Sequence, residues 1–123
     1  MSEELIGIAS SYAKEKVRGR VKIITDEKRL EEVEEGDIIV TDSDSIFDKA
    51  AQHFGIGKVV EIIKKCKAII CEKGKFTSHV SIIMREFGKP CIINLKDATK
   101  IFENGEEIEI EGDVIRKIKN LKY

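Results

Sequence analysis

The chain has 123 residues, enough for one domain that buries roughly two thirds of its unfolded surface. It is 41% hydrophobic and 37% charged, with 22 basic side chains against 23 acidic ones, so a net charge of −1 gives no broad pull toward nucleic acid or an anionic membrane. Tryptophan is absent, no apolar run approaches the roughly 18 residues of a membrane helix, and no leader of signal type is visible, so no nucleic-acid or membrane partner and a cytoplasmic location are expected.

Residues 1–4 read as a frayed end, residues 5–9 as a short strand and Ser10-Ser11 as a loop. Residues 17–24 alternate apolar and polar, with Val17, Gly19, Val21 and Ile23 against Arg18, Arg20 and Lys22, the period of a half-buried strand. Thr25 or Asp26 can cap a short helix to about Val33, and Glu35-Gly36-Asp37 is a turn. Ile38-Ile39-Val40 is a buried strand running into Thr41-Asp42-Ser43-Asp44-Ser45, whose acids and hydroxyls suit the cap of a following helix. That helix covers residues 46–54 and is interrupted by Gly55 and Gly57. The next carries Val59, Ile62, Ile63 and Cys66 on one stripe.

Ala68-Ile69-Ile70-Cys71 has strand length, and Cys91-Ile92-Ile93 is a second buried strand. Residues 97–102 suggest a helical turn, Asn104-Gly105 a tight turn, residues 107–110 a strand, Glu111-Gly112-Asp113 a turn and residues 114–118 a last strand. The mixed order points to a single α/β domain over residues 1–123, with a central sheet and flanking helices. Cys66, Cys71 and Cys91 are odd in number and lack metal-ligand spacing, so they are expected to be free, buried and structural, and no metal site is expected.

Gly74-Lys75-Phe76-Thr77-Ser78-His79 is a polar turn that ends in a histidine where a helix begins. Ser78 is a good N-cap. Val80, Ile83, Met84 and Phe87 form one apolar face, Gly88 fits an αL C-cap, and Pro90 follows. His79 is thus predicted at the positive end of a helix dipole beside free backbone donors, where a phosphate is readily held. A neutral imidazole is nucleophilic near neutral pH, so such a histidine can carry a phosphoryl group. A plain polar turn is the competing reading.

The stretch AIICEKGKFTSHVSIIMREFGKPCII closely resembles the phosphohistidine signature of phosphoenolpyruvate-utilising enzymes, which include pyruvate phosphate dikinase, phosphoenolpyruvate synthase and enzyme I of the sugar phosphotransferase system. Thr77-Ser78-His79, Arg85-Glu86, Gly88 and Pro90 match that pattern in type and spacing. Ala98-Thr99, Asn104-Gly105 and Glu111-Gly112 resemble its later turns, while Arg18-Gly19-Arg20-Val21 and the segment from Gly36 to Thr41 resemble its first strands. The resemblance implies a swivelling β/β/α mobile domain that shuttles a phosphoryl group on His79. Thr77 would orient the ring or bind a phosphate oxygen. Gly74, Ser78 and Arg85 would serve the phosphate, Gly74 by letting backbone amides approach, although a solvent-facing role suits Arg85 equally.

The sequence departs from the family pattern at Lys75, Met84, Asn94 and Ile115, where the family has glycine, alanine, glycine and glycine, and in a longer segment from Asp44 to Lys65. No nucleotide-binding domain or phosphoenolpyruvate barrel fits in 123 residues. The resemblance therefore implies a carrier that binds no cofactor itself and works with nucleotide-binding and phosphoenolpyruvate/pyruvate-binding subunits, where Mg and nucleotide or phosphoenolpyruvate would sit. The alternative is a non-catalytic interaction or regulatory module on the same fold.

Two rival motifs are weaker. Asp42-Ser43-Asp44 after a hydrophobic strand is similar to a haloacid-dehalogenase-type phosphatase, but Thr41 breaks the strand's apolar run and no later acidic pair follows. Ile46 and Phe47 exclude an EF-hand. His53 reads as an exposed helix residue, and Lys64, Lys65 and Lys67 as a solvated face.

Overall fold

The computed structural model describes residues 4–118. They form one eight-stranded mixed sheet: β1 (Glu4–Ile6), β2 (Ile8–Ser11), β3 (Val17–Ile23), β4 (Asp37–Ser43), β5 (Ala68–Lys73), β6 (Cys91–Ile93), β7 (Glu107–Glu111) and β8 (Val114–Lys117), in the spatial order β1-β8-β7-β3-β4-β5-β6-β2. Strands β3 to β6 are parallel neighbours in sequence order. A 3-10 helix (Glu27–Glu32), the pair α1 (Ser45–Phe54) and α2 (Ile56–Lys65), and then α3 (His79–Phe87) make the crossovers. The C-terminal hairpin β7-β8 adds antiparallel to β3, and a single turn of helix, α4 (Ala98–Ile101), precedes it.

The central strands are apolar on both sides because both faces are covered. Along β4, Ile39 faces one core and Ile38 and Val40 the other; β5 splits Ile69 and Cys71 from Ala68 and Ile70, and β6 splits Cys91 and Ile93 from Ile92. The first core holds α1, α2 and α3 through Phe47, Ala50, Ile62, Ile63, Val80 and Met84. The second is closed by Ala98, Phe102, Ile108, Ile110 and Ile115. The α/β architecture with flanking helices is as the sequence predicted.

Two predictions fail at the N-terminus. The single strand expected over residues 5–9 is broken at Gly7 into β1 and β2, which lie at opposite edges of the sheet: β1 pairs with β8 and β2 with β6. One residue joins the two edges, so the sheet curls back on itself there. A Cβ at Gly7 would stand 2.3 Å from Ile92 Cγ2, closer than any side chain tolerates. Ser10 and Ser11, expected in a loop, belong to β2 and are buried. Their hydroxyls are satisfied there, Ser10 Oγ sharing a 2.8 Å hydrogen bond with Ser81 Oγ and Ser11 Oγ donating to the Lys89 carbonyl at 2.7 Å. Of the frayed end, residues 1–3 lie outside the described residues and Glu4 starts β1.

The other boundaries follow local chemistry. Asp26 caps the 3-10 helix by accepting the Lys28 N–H. Gly55, with φ of 89°, separates α1 from α2, whereas Gly57 lies inside α2. The last strand ends at Lys117, one residue short of the prediction.

Candidate functional site

Three loops leave the carboxyl ends of neighbouring parallel strands on one side of the sheet: Asp44 after β4, which ends at Ser43, residues 74–78 after β5, and Asn94 after β6. Carboxyl ends of parallel strands are where α/β folds place ligands. The loops and the start of α1 enclose an open cavity of about 550 Å³ lined by Ser43, Asp44, Ser45, Asp48, Lys73, Gly74, Lys75, Thr77, Ser78, His79 and Asn94.

His79 is the first residue of α3, and its side chain is 80% exposed. Ser78 is the N-cap as predicted, its Oγ accepting the Ser81 N–H at 3.2 Å, and Gly88 ends the helix in the left-handed region at φ 65°. The Ser78 N–H is used by the Lys75 carbonyl. Helix geometry leaves the N–H groups of His79 and Val80 without an intrahelical partner, at the positive end of the dipole. Buried Ser81 ties the segment down, its hydroxyl lying 2.9 Å from the Lys75 carbonyl and 2.8 Å from Ser10 Oγ.

The structure brings His79, Thr77, Ser78 and Gly74 to one cavity, with Lys75 exposed on its wall. Gly74 is needed for space: a Cβ there would meet Ile93 Cγ2 at 2.6 Å and Asp44 Oδ2 at 3.1 Å. The amides it was expected to offer are already engaged. The Gly74 N–H points to Asn94 Oδ1 at 3.4 Å, and the Lys75 N–H donates to Asp44 Oδ2 at 2.9 Å. Arg85 does not line the cavity. Its guanidinium donates through Nε to the Ser10 carbonyl at 2.9 Å and through Nη2 to the Phe76 carbonyl, fastening the loop to β2.

Sequence reasoning missed Asp48, Ser81 and the placement of Asp44. Asp48 Oδ1 lies 3.3 Å from His79 Nδ1, a contact between residues 31 apart in sequence that no local pattern announces. Asp44 holds the N-cap position of α1 but makes no side-chain cap bond, because its carboxylate is turned to Lys75. Ser43, one residue before the N-cap, accepts the Ser45 N–H on Oγ at 3.2 Å. Asn94 stands where the resemblance implies a glycine, and its φ of 57° is the left-handed conformation a glycine would adopt. Asparagine is among the few other residues that tolerate it.

The three cysteines are free and buried. Burial pushes the Cys66 thiol up to about 12 and raises Cys71 and Cys91 as well, so none is a ready thiolate nucleophile. Among the described residues no group of three or more His, Cys, Asp or Glu is placed to hold a metal ion. His53 is half-exposed, with Nδ1 3.8 Å from Glu27 Oε2. No helix among the described residues is long and apolar enough to cross a membrane.

The comparisons assign this mixed α/β domain to a phosphotransfer-related class. Residues 33–114 match the family described as "PEP-utilising enzyme, mobile domain", and the chain belongs to that family. It is 34% identical over 95 residues to a probable phosphoenolpyruvate synthase of Archaeoglobus fulgidus, covering 77% of this chain and 11% of that protein. It is likewise 34% identical over 94 residues to phosphoenolpyruvate synthase of Pyrococcus furiosus, covering 76% and 10%. The Escherichia coli phosphoenolpyruvate synthase is 34% identical over 99 residues, covering 77% and 11%. The chain thus spans about a tenth of the length of these curated relatives, each a larger protein in which the matching region is one part. The fold is shared more widely: aconitase X of Thermococcus kodakaraensis superposes with a TM-score of 0.65 at 13% identity, over 95% of this chain and 99% of that one.

Proposed function

We propose that this domain is a phosphoryl carrier in which His79 accepts a phosphoryl group on a ring nitrogen and passes it on. The observation that carries the reading is the placement of His79: an 80% exposed imidazole on the first residue of a helix, in a polar cavity at the carboxyl ends of three parallel strands. The ring-nitrogen lone pair forms a bond to phosphorus while the phosphorus–oxygen bond of the donor breaks, and that oxygen leaves with the electron pair. Return of the group to an acceptor oxygen is the same step reversed.

The surroundings supply what a transferable phosphoryl group needs. Thr77 and Ser78 bring hydroxyls, the first turn of α3 brings backbone N–H groups and its dipole, and Lys73 and Lys75 line the wall as cations. Arg85 acts indirectly in this reading, by holding the Phe76 carbonyl and so the loop. The donor and acceptor chemistry belongs to a nucleotide-binding and a phosphoenolpyruvate/pyruvate-binding domain or subunit, which would also hold Mg and nucleotide or phosphoenolpyruvate. The names and greater length of the synthase relatives support this division.

The test is covalent labelling. The protein is incubated with radiolabelled phosphoenolpyruvate or ATP and a phosphoenolpyruvate synthase whose own mobile-domain histidine has been replaced. Acid-labile, base-stable label on this chain is expected, and its loss in His79→Ala. Equal label in His79→Ala overturns the reading.

A further inference from the structure

We propose that Asp48 is a positioning residue for His79: by accepting a hydrogen bond from Nδ1–H it holds the imidazole in the tautomer that leaves Nε2 as the phosphoryl acceptor. This rests on the carrier reading above and deepens it: what it adds is Asp48 as the residue that orients the ring. Asp48 Oδ1 stands 3.3 Å from His79 Nδ1. An ionised carboxylate only accepts hydrogen bonds, so the nitrogen facing it carries the proton, and in a neutral ring the lone pair is then on Nε2.

Backbone groups hold the two segments side by side, and the contact between Asp48 and His79 is made by their side chains. Asp44 and Asp48 are one turn apart on the start of α1, and Lys75 and His79 are equally spaced on the opposing segment. The first rung is closed twice, by Asp44 N–H to the Lys73 carbonyl at 3.0 Å and by Lys75 N–H to Asp44 Oδ2 at 2.9 Å. Asp48 against His79 is the next rung, with the same separation of 31 residues. Ile46 and Phe47, both buried, set the rotation of α1 and leave Asp48 on its outer face. The Asp48 side chain is 56% exposed and His79 80%, so the contact contributes little to fold stability. A weak bias is enough here, because the two tautomers of a solvated imidazole are nearly balanced.

The chemistry follows from the geometry. Nε2 forms the bond to phosphorus, the donor's phosphate ester or anhydride bond breaks with its electrons on the leaving oxygen, and the Nδ1 proton stays on the ring. The phosphoimidazolium that results has its positive charge facing the Asp48 carboxylate, which favours the transfer step without contact to the phosphate.

Proton–nitrogen correlation NMR of the ring reports the tautomer in the free protein, with no donor or partner required. A His53→Gln background leaves His79 as the sole histidine, since the chain has two. The Nδ1–H form is expected to predominate, and Asp48→Ala to move the ring several-fold toward the Nε2–H form. Label transfer in Asp48→Ala should slow about tenfold with little change in the KM for the donor, the low end of what carboxylate partners contribute to metal-bound histidines. Asp48→Asn, whose side-chain oxygen still accepts a hydrogen bond, should keep the tautomer and most of the rate. An unchanged tautomer ratio in Asp48→Ala, or phosphorus NMR placing the group on Nδ1, overturns the assignment. Because the tautomer is read without phosphorylation, failure of the carrier reading shows separately, as absence of label in a protein whose ring responds to Asp48→Ala.

Discussion

Asp44 Oδ2 accepts the Lys75 N–H at 2.9 Å, so a carboxylate occupies a loop amide beside the candidate phosphohistidine. The bond ties the β5–α3 loop to the start of α1 and consumes a donor that a phosphate could otherwise use. Charge-assisted bonds of this kind are worth about 1–2 kcal/mol when partly exposed. Asp44→Ala is therefore expected to lower unfolding free energy by about 1 kcal/mol in urea denaturation, and Asp44→Asn by less. With the negative charge gone, Asp44→Asn should also bind inorganic phosphate a few-fold more tightly in an NMR titration of the loop amides. Unchanged stability in Asp44→Ala together with unchanged phosphate affinity in Asp44→Asn would remove this bond from the account.

Gly74 lies one residue earlier and is constrained by packing. A methyl group there meets Ile93 Cγ2 at 2.6 Å, and Ile93 is 1% exposed with nowhere to retreat. Overpacking of this size costs about 1–3 kcal/mol. Gly74→Ala should lose that much stability and, by pushing the loop outward, should pull Lys75 off Asp44 and lower His79 labelling even at temperatures where the variant is fully folded. A variant with wild-type stability and labelling would show that the loop yields at no cost.

The sequence was readable where short-range chemistry decides. Ser78 as cap, Gly88 as terminator, the apolar face of α3 and the runs that became β4, β5 and β6 all follow from neighbours a few residues away. It was unreadable where pairing is long-range. Nothing near Gly7 says that the chain crosses from one sheet edge to the other, and Ser10 and Ser11 look like a loop until Ser81 and the Lys89 carbonyl are in place to satisfy them. Asp44 reads as a cap and does stand at the N-cap of α1, but the partner that draws its carboxylate away, Lys75, is 31 residues on. Asn94 shows the converse: it departs from the family's glycine in type, yet keeps the left-handed backbone that glycine would supply. Its Oδ1 also faces the Gly74 N–H at 3.4 Å.

The pH dependence of stability has a definite sign at each end. The Arg18 hydrogen bond holds Glu109 below the ordinary carboxylate value of 4.5, Thr99 does the same for Glu72, and Arg29 for Glu32. Their stabilisation is present above that value and is lost as pH falls through the depressed folded values. At the alkaline end, burial raises the thiols of Cys66, Cys71 and Cys91 above the ordinary 9.0, Cys66 to about 12. The folded state then keeps protons that the unfolded chain releases, so stability is full below pH 9 and falls as pH rises toward the folded values. Each thiol contributes a slope of about 1.4 kcal/mol per pH unit across its window. Urea denaturation as a function of pH should therefore show a plateau between about pH 5 and 8.5. In Cys66→Ala the alkaline slope should be shallower by about 1.4 kcal/mol per pH unit, whatever packing energy the substitution removes. An alkaline limb with the same slope in both proteins would mean that Cys66 ionises in the folded state as readily as in the unfolded one.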